Sequence, residues 1–116
     1  MSDIEELQKN IVAFRDARDW KQFHNPKDMA ISLILEASEL LEHFQWKSSG
    51  EVSAHIKNNK EDISDELADV LHWVLLIAND LNINLPEALN KKINKNAIKY
   101  PVEKVKGKHN KYTDYQ

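Results

Sequence analysis

Apolar residues recur along the chain at intervals of three and four, the repeat of helices that bury one face. Ile4, Leu7, Ile11 and Phe14 form the first stripe and predict a helix over 3–18, with Asp3 as N-cap and Glu6 as its capping-box partner. The polar and aromatic run Asp19-Trp20-Lys21-Gln22-Phe23-His24 then leads into Asn25-Pro26, a helix start with proline in its first turn. A second helix is predicted over 27–46. Its segment MAISLIL is apolar almost all round, which makes it central rather than superficial. Leu33, Glu36 and Leu40 share a face there, so Glu36 points partly into an apolar stripe. A third long helix is predicted over 61–81, where Ile63, Leu67, Val70, Leu71, Val74, Ile77 and Ala78 make a wide apolar face. Asp62, Glu66, Asp69 and Trp73 follow one another a turn apart on it. The polar stretch 47–60 has room for a short helix over 51–57, with Val52 and Ile56 inward. Asn82 to Leu85 breaks the third helix, Pro86 opens a fourth over 86–100, and Pro101 stops it.

Composition agrees with this pattern. Two glycines and three prolines are too few for the turns of a strand-rich fold, so the expectation is an all-α bundle of three long helices and one shorter one. The apolar faces of the second and third helices are wide for 116 residues, which predicts a homo-oligomer. One domain is expected over 1–101, followed by a polar tail over 102–116. With no cysteine, neither disulfides nor a thiolate metal site hold the chain together. The beginning MSDIEELQKN does not read as a signal peptide, and no apolar run has the length of a membrane span. The expectation is therefore a cytoplasmic protein with no membrane partner. A formal net charge of −3 gives no reason to expect a nucleic-acid polymer.

The candidate chemistry lies in two carboxylate pairs, Glu36-x-x-Glu39 and Glu66-x-x-Asp69. Each pair interrupts an apolar helix, and residues three apart lie side by side on a helix. Four carboxylates brought together need a strong positive partner, most simply a hard divalent cation with oxygen ligands. Spacing alone leaves two other readings open, a solvated acidic face and ion pairs with basic residues from another helix. Basic residues are nearly absent from 28–46 and 61–81, so such partners would have to be imported. His24, His43, His55 and His72 show no metal-type spacing among themselves. Asp69-x-x-His72 resembles half of a di-iron motif, but the second helix carries no matching Glu-x-x-His.

LILEASELLEHFQW, then DELADVLHWVLLIA, then INKNAIKYP resemble the all-α nucleoside triphosphate pyrophosphohydrolases of the MazG-like superfamily. ARDWKQFHNP, FQWK and NLPEAL place the resemblance closest to the dCTP pyrophosphatase branch, and it covers roughly Ile4 to Pro101. It implies a MazG-like bundle, tetrameric before dimeric, that cleaves a nucleoside triphosphate into monophosphate and pyrophosphate. It implies Mg2+, with Mn2+ as a substitute ion, on Glu36, Glu39, Glu66 and Asp69, and Glu39 or Glu36 orienting the attacking water. Lys92, Asn96 and Tyr100 match positions near the phosphates, and Trp20, Trp46 and Trp73 positions near the base. The implied role is house-cleaning of deoxynucleotide pools. Ile11 departs from the pattern, because dCTP-directed relatives carry a histidine there, which weakens strict cytosine selectivity. A dUTP-directed diphosphatase on a similar bundle and a non-enzymatic helical interaction module remain as alternatives.

Overall fold

The computed structural model describes residues 3–111 and Thr113, and among these residues all regular structure is helical. The order is α1 (Asp3–Ala17), a 3-10 turn (Lys21–Phe23), α2 (Pro26–Glu42), α3 (Ser49–Asn58), α4 (Lys60–Asp80), α5 (Leu85–Lys99) and α6 (Val102–Val105). The chain forms two compact units that divide between Asn82 and Ile83.

In the first unit α4 is the centre, and α2, α1 and α3 all pack against it. Its Leu75, Leu76 and Ala78 are buried with Met29 of α2, so the C-terminal half of α4 carries the core. Arg15 of α1 is buried to 1% exposure and makes a bidentate pair with Asp80 of α4, at 2.8 and 2.9 Å. Gln8 Nε2 donates to the Leu75 carbonyl at 2.9 Å, a second polar tie between the same helices.

Local chemistry sets the ends. Asp3 already lies within α1, so the expected cap at Asp3 is corrected: Ser2, the residue before it, lies outside the described residues. Asn25 caps α2 by accepting from the Asp28 N–H at 2.9 Å, with Pro26 in the first turn as expected. α2 stops at Glu42, four residues before the predicted end. His43 and Phe44 N–H groups bond three residues back, which tightens the turn, and Trp46 adopts a left-handed φ of 66°. That conformation is costly for a bulky side chain, and Trp46 nevertheless stands 92% exposed. Ser48 then starts α3 with a reciprocal capping box to Glu51. α3 therefore begins earlier than the pattern predicts. It also turns differently: Val52 is half-buried as expected, but Ile56 is exposed and His55 faces inward in its place. A hydrogen bond between His55 and His43 holds that orientation.

The second unit contains α5 and α6. Asn84 caps α5 by accepting from the Glu87 N–H at 3.0 Å, and Lys91 pairs with Glu87 one turn away at 2.9 Å. Pro101 ends α5 and caps α6, whose four residues lie in the stretch expected as tail.

Candidate active site

α2 and α4 each present their two acidic residues one turn apart, and packing of the two helices joins the pairs. One carboxylate oxygen from each of Glu36, Glu39, Glu66 and Asp69 lies within 4.8 Å of the others. Glu36 and Glu66 are half-buried; Glu39 and Asp69 are exposed. Glu39 is the hub, because its carboxyl acts on both Glu36 and Glu66 and raises each of them. Glu36 Oε2 and Glu66 Oε2 are buried without a hydrogen-bond partner. Burial first, then the Glu39 carboxyl, pushes Glu36 up to about 7. The hydrogen bond to Glu39, with burial second, raises Glu66. Carboxyls this close cannot all be charged without a cation. The ion pairs formed by Arg15 and Lys91 go to carboxylates other than these four. Four carboxylates with two buried oxygens unsatisfied are the donor set a hard divalent ion takes.

On the α3 side of the cluster lies a cavity of about 450 Å³ lined by Glu39, Glu42, His43, His55 and Glu66. His43 Nδ1 and His55 Nε2 are 2.7 Å apart there. This pair escapes a search by spacing because its members are twelve residues apart, His43 in the turn after α2 and His55 on α3. The readable signal is the Ser48-x-x-Glu51 capping box, which starts α3 soon after α2 ends. Burial, Lys47 and His43 lower His55, the first being the largest influence.

Phe44 packs against both histidines, at ring separations of 6.3 and 6.4 Å, while Trp73 and Trp20 meet other rings of the first unit. Trp73 is half-buried and edge-on to His24 and His72, at ring separations of 5.2 and 5.4 Å. Trp20 meets Phe14 edge-on at 5.9 Å. An apolar cavity of about 250 Å³ between α1 and α4 is lined by Leu7, Asn10, Ile11, Phe14 and His72. Burial lowers His72, so this lining is largely uncharged at neutral pH. Lys92 and Asn96 are exposed on α5, and Tyr100 is half-buried at its end.

Helical bundles in which two packed helices each present a pair of carboxylates to one cluster form one class, and this fold belongs to it. A model of the MazG-like family matches residues 31–115, and the chain belongs to that family. It is similar to dCTP pyrophosphatase 1 of Rattus norvegicus, 36% identical over 113 residues, and of Homo sapiens, 33% identical over 113 residues. These matches cover 96% of this chain but 66% of each relative, so the chain spans slightly less than two thirds of their length. A solved pyrophosphatase from Archaeoglobus fulgidus superposes with a TM-score of 0.82 at 40% identity, covering 87% of this chain and 94% of that one.

Proposed function

We propose that this protein hydrolyses nucleoside triphosphates between the α and β phosphates, giving a monophosphate and pyrophosphate, with deoxynucleotides of the dCTP type favoured. The observation that carries the reading is the convergence of Glu36, Glu39, Glu66 and Asp69, with two buried oxygens left unpartnered. The names of the relatives, dCTP pyrophosphatase 1 and a pyrophosphatase, support it. The four carboxylates would hold Mg2+, or Mn2+ in its place. When bound, the cation neutralises charge on phosphate oxygens. Glu39, whose carboxyl acts on both Glu36 and Glu66, is proposed to orient the attacking water, with Glu36 as an equal alternative. Lys92 and Asn96, four residues apart on α5, and Tyr100, the residue that follows the helix, are proposed to contact the phosphates.

Trp20, Trp46 and Trp73 are proposed to hold the base. Trp46 fits a stacking role because an exposed ring kept in a costly backbone conformation gains nothing from packing within its own chain. Ile11 gives the apolar cavity no hydrogen-bonding side chain of its own, which suits tolerance of several bases. A panel of dNTPs and NTPs scored for pyrophosphate release tests this: dCTP should lead by a modest margin. A dominant preference for dUTP would favour the diphosphatase alternative.

The exposed apolar residues support assembly. Ile31, Ile34, Leu35 and Leu41 on α2, with Leu67 and Leu71 on α4, are all exposed in the single chain, Ile34 to 64%. Further copies of this chain are proposed to cover them, as a tetramer before a dimer. Light scattering should give four protomers at micromolar concentration, and a clean monomer would overturn the assembly. No helix among the described residues is long and apolar enough to cross a membrane, which accords with a cytoplasmic site of action.

Glu36 makes cation binding depend on pH. In the cation-free fold its carboxyl keeps a proton up to about 7, against an ordinary value of 4.5. Between those values the folded chain holds a proton that the unfolded chain has released. The contribution to stability is therefore full at low pH and is lost as pH rises through this window. Cation binding requires the ionised form. Calorimetry should show Mg2+ affinity climbing from pH 5.5 to 7.5 with proton release, and a flat profile would contradict the assignment.

A further inference from the structure

The cavity beside the carboxylates contains a hydrogen-bond chain with one consistent direction. Asn59 Nδ2 lies 3.0 Å from the His55 carbonyl oxygen, which only accepts, so that amide atom is the nitrogen donor. The same Nδ2 lies 3.2 Å from His55 Nδ1, which must therefore accept. The lowered position of His55 agrees with a neutral ring. A neutral imidazole that accepts at Nδ1 carries its hydrogen on Nε2. His55 Nε2 thus donates to His43 Nδ1 across 2.7 Å, and His43 in turn carries its ring hydrogen on Nε2. The lone pair of His43 is spent on His55, which leaves this ring unable to ligate a cation and able only to donate. Among the described residues nothing hydrogen-bonds His43 Nε2, and that atom is not buried.

The other side chains lining this cavity, apart from His55, are the carboxylates of Glu39, Glu42 and Glu66. Ionised carboxylates only accept, so none of these three side chains donates a hydrogen bond to a phosphate. The geometry points to His43 as a phosphate-contacting residue, whose Nε2–H, fixed by the chain from Asn59 through His55, donates to a phosphate oxygen of the substrate or of the released pyrophosphate. This rests on the pyrophosphohydrolase reading above. Neither His43 nor His55 belongs to the carboxylate signature, and their contact depends on the tight turn between α2 and α3.

Nitrogen-detected NMR of the full chain labelled at histidine, with Mg2+ present, tests this without turnover. Both rings should show the Nε2–H tautomer, and added pyrophosphate should shift the His43 Nε2–H. A His43 ring protonated on Nδ1, or one indifferent to pyrophosphate, overturns the proposal. Kinetics separates it from a purely structural role. His43→Leu should raise KM and weaken pyrophosphate inhibition together, by about tenfold or more, with kcat little changed. His43→Gln, whose amide restores a donor at a similar reach, should recover most of that loss. Equal KM for wild type and His43→Leu overturns the proposal while leaving the reaction class intact. Absence of turnover in the wild type overturns the reaction class, and the pyrophosphate titration still decides whether His43 meets a phosphate.

Discussion

Glu66→Gln is expected to lower pyrophosphate release by a factor on the order of 100 to 1,000 or more, with the fold preserved. Stabilisation of phosphate charge by a bound cation amounts to several kcal/mol, and about 1.4 kcal/mol is a factor of ten in rate. Glutamine keeps the volume of the side chain, but it removes a carboxylate from a set of four whose oxygens lie within 4.8 Å. Glu66 Oε2 is also buried and unpartnered, so the loss falls on an atom that has nothing to do but bind. In the cation-free protein the same change should leave stability level or raise it, because it relieves a crowded acidic group. Mg2+ calorimetry beside circular dichroism checks both halves: affinity falls and the melting temperature does not. Unchanged turnover would return the cluster to an acidic face that serves a partner protein.

Arg15→Ala should be the most damaging single change to the fold. The guanidinium is 1% exposed and meets both oxygens of Asp80. Removing one member of a buried pair strands the other charge, at a cost of roughly 3–5 kcal/mol. Domains of this size are commonly stable by about 5–15 kcal/mol, so urea denaturation should show a large drop in midpoint. The double change Arg15→Met with Asp80→Leu should recover most of it, since a buried pair exchanged whole for apolar groups is often neutral. A small loss in Arg15→Ala alone would mean that Asp80 is solvated there. The pair is robust to acid, because Arg15 holds Asp80 below its ordinary value of 3.8. Its contribution is complete above that value and is lost only as pH falls through the depressed one.

Particular residues show why some of this was legible in the sequence. Helices announce themselves by a local repeat, and Asn25-Pro26 and Pro86 mark two of their starts, whereas the cap at Asn84 emerges only in the structure. The cluster was legible because Glu36 and Glu39, like Glu66 and Asp69, share a helix face by spacing alone, so only the pairing of α2 with α4 had to be supplied. Arg15 and Asp80 were not legible, since a charged residue in a stripe-bearing helix reads as exposed until its partner, 65 positions away, is known. His43 and His55 meet only after α2 stops early at Glu42 and Trp46 turns left-handed. A hydrophobic repeat does not encode that break.

The most direct test of the account is product analysis with dCTP as substrate. With Mg2+, the wild-type protein should yield monophosphate and pyrophosphate in equal amounts, and chelator should stop the reaction. Formation of a diphosphate with orthophosphate, or release that persists in chelator, would contradict a cation-dependent cut between the α and β phosphates at the four carboxylates.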